Sequence, residues 1–187
     1  MGNRENLLSA LQELRKDSAQ KSKKGVSFIL ASVFVWILIL CIHMSTLPIL
    51  TKNMLTFCCS IPLVPLACLI SRLIGADFQN RENPLTQLGI LFAVNQILYI
   101  LIAMWIYAAV PDKMLMVYAM IFGAHLLPYG WLYQSRTYCI FSVLVSGLVL
   151  YVGCNYPTVA VAILMLIIEM LFSVCLLIEN KVDYSTL

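Results

Sequence analysis

Residues 158–178 read TVAVAILMLIIEMLFSVCLLI, and this stretch decides the fold. It holds one ionisable side chain, Glu169, near its middle. A helix rises 1.5 Å per residue, so about 20 apolar residues cross the hydrocarbon of a bilayer. No water is available there to bond exposed N–H and C=O groups. The segment must therefore satisfy its backbone internally, as an α-helix.

Five further runs of the same kind precede it, at 26–42, 50–74, 86–110, 113–133 and 137–154. The breaks between them are chemically clear: residues 43–48 with Pro48, residues 75–84 with Asp77, Arg81 and Glu82, then Pro111-Asp112, Gln134-Ser135-Arg136 and Asn155-Tyr156-Pro157. Proline and polar residues end helices at such points without burying unpaired groups. Composition agrees: of 187 residues, 61% are hydrophobic and 11% charged, where a soluble domain carries about 25% charged residues. Alternating strands of a barrel are absent. The expected fold is all-α, a polytopic membrane helix bundle of about six transmembrane helices. Residues 1–24 form a cytoplasmic helix, 25–180 the membrane domain and 181–187 a short cytoplasmic tail.

Charge sets the orientation. With the N-terminus in the cytoplasm, ten of the 12 Lys and Arg fall on the inner side, and only Lys52 and Lys113 fall outside. The positive-inside rule then gives a cell-membrane protein with both termini cytoplasmic. The first span reads as a signal-anchor rather than a cleaved leader, since more spans follow it and it is preceded by a long polar segment. Leu7, Leu8, Leu11 and Leu14 recur at helical spacing within that segment, among Arg and Lys. Such an amphipathic helix either lies on the anionic inner leaflet or packs on the cytoplasmic loops.

Depth selects the candidate site. Glu169, His125, Asn95 and Gln96 all lie near the middles of their spans, within about 5 Å of one plane. An acidic side chain at the centre of a membrane helix costs about 2.5–3.5 kcal/mol on insertion scales. Glu169 must be protonated, paired or facing a wet cavity, and His125, Asn95 and Gln96 are the groups at its depth. Pro62, with Pro65, interrupts the second span and frees the carbonyls of Cys58 and Ile61. Broken helices at mid-depth expose backbone to substrate in many transporters. These five residues are the candidate ligand-binding set. The competing reading is plain interhelical contact, with the prolines as kinks.

Other chemistries fit poorly. Two histidines, His43 and His125, cannot make a three-His zinc site, and Glu169 is the one carboxylate at depth. Nucleophile elbow, Walker and dinucleotide motifs are absent, so no cofactor is expected and an enzyme is the weakest reading. No basic stripe with interleaved aromatics marks a nucleic-acid partner. Met116 and Met120, one turn apart, suit copper(I) in principle but read as apolar core. The seven cysteines read as small, buried, reduced thiols. Ser27 and Ala31, Ala119 and Gly123, and Ser142 and Ser146 are small residues at four-residue spacing, which permits close helix approach.

The strings KKGVSFILAS at 23–32, LTFCCSIP at 55–62 and FGAHLLPY at 122–129 resemble a bacterial family of small multi-span membrane proteins without assigned function, over nearly the whole chain. That resemblance implies an inner-membrane protein and supplies no site residues. Size and span count also resemble the substrate-binding subunits of energy-coupling-factor vitamin importers, whose first helix docks a scaffold through small residues. Ser27 and Ala31 match that spacing, while Phe34 and Trp36 depart from it.

Two functions follow as expectations. The first is a small membrane protein, transporter-like, that binds or moves a small molecule or ion through the mid-depth polar residues. The alternative is a non-catalytic interaction or sensor subunit in which those residues join helices. Its partners are the lipid bilayer and either a ligand, another protein or a second copy.

Overall fold

A computed structural model describes residues 2–185, with side-chain surroundings for 4–182. The described residues form eight α-helices: α1 (Gly2–Lys21), α2 (Val26–Met44), α3 (Ile49–Ser60), α4 (Leu63–Ile74), α5 (Leu85–Ala109), α6 (Met114–Leu132), α7 (Arg136–Asn155) and α8 (Thr158–Ser185). Short 3-10 turns occupy Lys23–Gly25 and Pro111–Lys113. Six segments are long and apolar enough to cross a membrane, with α3 and α4 together forming the second. Their ends agree with the sequence expectation to about one turn, the usual latitude for helix boundaries. The last helix runs on through the first residues of the expected tail; residues 186 and 187 lie outside the described residues.

The break inside the second span follows from Pro62, which has no N–H to give. The carbonyl of Cys58 is instead taken by the N–H of Ile61, at 3.2 Å, in a tight turn. The Ser60 hydroxyl donates to Thr56 O at 3.1 Å and accepts from Tyr118 Oη at 2.5 Å, tying α3 to α6.

The helices α2, α6, α7 and α8 share one core, built on Trp36, Ile39, Leu115, Ala119, Val149 and Met165. A second cluster, with Leu126, Tyr133, Tyr138 and Phe172, fills the end near the chain's beginning. The small-residue spacing on α6 and α7 has a clear use. A Cβ on Gly123 would stand 2.7 Å from Val145 Cγ1 and 2.9 Å from Ser146 Oγ, so only glycine lets these helices approach so closely. Ser27 and Ala31 are also fully buried, Ser27 against Ser71 of α4. They are spent inside the chain and leave no small-residue face on the first span for a scaffold subunit.

One expectation needs correcting, that the cysteines are buried. Cys41, Cys58, Cys154 and Cys175 are exposed on the outside of the bundle, and all seven cysteines are free thiols. An apolar solvent lets a thiol face outward without cost, so burial does not follow from its hydrophobicity. The Met116 chain packs over Gly153, and Met114 is fully buried, which makes these methionines core residues.

The start of the first span is a strained corner. Lys23, Lys24 and Gly25 all have positive φ, at 49°, 51° and 69°. The left-handed region is costly for a lysine, and tertiary bonds hold it there. Lys24 Nζ meets Glu179 Oε1 of α8 at 2.7 Å, and Ser135 Oγ donates to Glu179 Oε2 at 2.8 Å. Tyr138 Oη donates to Lys24 O at 2.8 Å, and Asn180 Nδ2 to Lys23 O at 3.1 Å. This knot joins α2, α7 and α8 at one end of the bundle.

Candidate functional site

Glu169 sits on a regular stretch of α8 and is fully buried. Its neighbours along the helix, Met165, Ile168 and Phe172, are buried too. Phe172 stacks on Phe141 at 4.8 Å and meets Tyr138 edge-on at 4.9 Å. The bonded partner of Glu169 is Ser32 of α2, whose Oγ lies against Glu169 Oε2.

Counting protons makes this contact informative. Ser32 Oγ also lies 2.7 Å from the Ile29 carbonyl of its own helix. A hydroxyl has one proton, so it donates to the carbonyl or to the carboxylate, not fully to both. Both bonds are complete together only when Glu169 brings its own proton, donating to Ser32 while Ser32 donates to Ile29. The second oxygen, Oε1, and the hydroxyl of Ser173 one turn further have no hydrogen-bond partner among the described residues.

The other candidates are elsewhere. His125 is half-buried on α6, with its ring 6.4 Å from Phe122 and 5.0 Å from Tyr129. Tyr129 in turn donates to Gly89 O of α5 at 2.7 Å. Asn95 is exposed on the outer face of α5, and Gln96 beside it is half-buried. Pro62 is exposed at the α3–α4 break, next to the equally exposed Ile61. Among the described residues no hydrogen bond or ring contact joins any two of the five. Equal depth placed them in one plane, and depth says nothing about direction around a helix.

Sequence reasoning missed Ser32. It lies three residues from the centre of α2, about 4.5 Å along the axis, so the same depth rule reaches it once hydroxyls are counted. A second polar group was missed at the opposite end. His43, Asn53 and Thr56 are all buried there. His43 Nε2 is 3.1 Å from Thr56 Oγ1, and Thr56 donates to Lys52 O at 3.0 Å. The Thr56 proton is thereby used, so the ring proton sits on Nε2 and Nδ1 is a bare acceptor without a partner among the described residues. Asn53 Nδ2 donates to Pro111 O at 2.8 Å, and Lys52 Nζ to His43 O at 3.0 Å. The sequence alone places His43 in the break between the first two spans.

The first helix docks through its C-terminal half. Asn83 Nδ2 donates to Asp17 Oδ2 at 2.8 Å and to Leu14 O at 2.7 Å; Asn80 Nδ2 reaches Asp17 at 3.2 Å. Arg15 lies over the Trp131 ring, 4.4 Å from its centre, and donates to Trp131 O at 2.9 Å through Nε. Leu7 and Leu8 remain exposed. The Asn83 bond holds the Asp17 carboxyl below its ordinary range; slight burial opposes this and Lys21 assists it.

A family model described as a family of unknown function (DUF7010) matches residues 11–179. Neither the curated proteins nor the solved structures yielded a match.

Proposed function

The chain belongs to that family of unknown function, and from this premise we propose that it is a non-catalytic, membrane-embedded interaction subunit. The observation that carries the reading is the division of the mid-depth polar residues. Glu169 is fully buried against Ser32, whereas Asn95 faces outward. A carrier site gathers such groups around one ligand. Here one closes an internal helix contact and another lies on an external surface.

The interaction reading keeps the expected layout. Residues 1–24 form a cytoplasmic unit, 25–180 the membrane domain and 181–187 a cytoplasmic tail, with both termini on the cytoplasmic side of the cell membrane. The ten-to-two distribution of Lys and Arg supports this orientation. A reporter active only in the cytoplasm is expected to work after Arg136 and after Asn180, and to fail after Asp112. Activity after Asp112 overturns the layout.

A second reading, in which Glu169 binds a proton or small cation for transport, draws on its unpartnered Oε1 and on Ser173. A hydrophobic carbodiimide separates the two, because it modifies protonated carboxyls that it can reach. In nanodiscs the interaction reading expects no labelling at Glu169 until the protein is denatured. Labelling of the folded protein that rises as pH falls, and disappears in Glu169→Gln, overturns it in favour of proton binding.

A further inference from the structure

We propose that the outer face of α5 is the interface between two copies of this chain, with Asn95 paired to Asn95 across it. The inference names the partner of the proposed interaction subunit and rests on that reading. Leu91, Asn95, Leu98, Ile102 and Trp105 are all exposed. Their spacing is four, three, four, three, the a/d alternation that keeps one seam facing a partner helix along its length. The opposite side of α5, including Gly89, Phe92 and Ala103, lies against α6 or is buried. The seam therefore lies on a helix already held in place by its own bundle.

Asn95 argues for a partner rather than lipid. Its amide lies two residues from the middle of α5, about 3 Å along the axis, where lipid offers no hydrogen bond. A single Asn in an apolar a/d seam is a known device for fixing register and copy number.

The same residue argues for a second copy in particular. An amide carries donors and an acceptor, so it is complementary to itself. Two copies inserted with one topology cross as parallel helices, related by a two-fold axis along the membrane normal. That symmetry brings Asn95 to the depth of its twin without any adjustment. Such an interface is isologous and closes at two.

The test reads copy number and geometry separately. Subunit counting by single-molecule photobleaching in liposomes at falling protein density is expected to give two copies. Asn95→Leu, which keeps the apolar seam and removes the amide pair, is expected to weaken the dimer about tenfold. None of the native cysteines lies in α5, so engineered ones report on this face against a wild-type control. Leu98→Cys and Ile102→Cys are expected to form covalent dimers on mild oxidation, while Ile97→Cys and Met104→Cys, exposed on a different face of the helix turned away from the seam, are not. A single copy at every density overturns the proposal. So does cross-linking at Ile97 and Met104 equal to that at Leu98 and Ile102, which moves any dimer to another face. Neither result touches the carbodiimide outcome at Glu169, so failure of this interface and failure of the interaction reading are told apart.

Discussion

The helices α5 and α8 are alike as sequences and opposite as structures. Each contains an apolar span of 25 residues with a strongly polar side chain near its middle. In the most apolar window of α8, 44% of residues are buried inside the bundle; in that of α5, 6% are. Hydrophobicity is set by the lipid, which accepts both arrangements equally. What separates them is where each polar residue finds a bond. Glu169 finds Ser32 within the chain, while Asn95 faces out. An inward polar group makes its helix a core element, and an outward one leaves its helix available to a partner.

The sharpest way to break this contrast is to add one methyl group on each side of α6. At Gly123, on the α6–α7 seam, a new Cβ meets Val145 Cγ1 at 2.7 Å and Val145 Cβ at 3.0 Å. Neither atom is the end of a flexible chain, so the helices must part. Gly123→Ala is expected to destabilise by about 1–3 kcal/mol, the usual cost of overpacking. At Gly89 of α5 the nearest atom is Leu132 Cδ2 at 3.2 Å, the tip of a side chain that can turn aside. Gly89→Ala also gains up to about 1 kcal/mol of helix propensity and is expected to be neutral or stabilising. Thermal unfolding in detergent reads both. A Gly89 variant as damaged as the Gly123 variant would mean that α5 is packed as tightly as the core.

The span pattern was legible because each run is set by one local quantity, apolar length. The α3–α4 break was equally legible, since Pro62 acts on its own helix. The site was not. Glu169 and Ser32 are 137 positions apart, and their meeting depends on which face of α2 turns toward α8, which neither span encodes by itself. His43 was misread for a similar reason. It stands at the end of its span, where a polar residue looks like a loop, and only the return of α3 buries it beside Thr56. The docking of α1 depended on Asn80 and Asn83, which in a loop read as helix breakers rather than as hydrogen-bond donors.

The smallest expected effect is at the head of α5. Asp17 of α1 accepts from Asn83, next to the start of α5, and pairs with Lys21 at 3.3 Å. Its carboxyl is held below the ordinary value of 3.8, chiefly by the Asn83 bond. A depressed acid contributes stability that is present above its unfolded value and lost as pH falls through the folded one. The docking of α1 is therefore expected to be constant from neutral pH down to about 5 and to fade only below about 4. Lys21, raised by Asp17, works in the other direction. Its contribution comes from the same Asp17 carboxylate: it is present below its ordinary value of 10.5 while Asp17 is charged, is lost as pH rises through its folded value, and fades in acid together with Asp17. The exposure of both side chains lets solvent screen the pair and keeps the effect small. Hydrogen exchange in nanodiscs, corrected for the intrinsic rate at each pH, should show the amides of α1 and of the first turn of α5 losing protection in acid. Those of α8 around the fully buried Glu169 should keep theirs. Asp17→Asn removes the titrating group, so its α1 should exchange faster at neutral pH and show no further acid loss. Equal loss of protection in α5 and α8 would mean that the two helices open as one unit, and would end the distinction between a core helix and a helix left free for a partner.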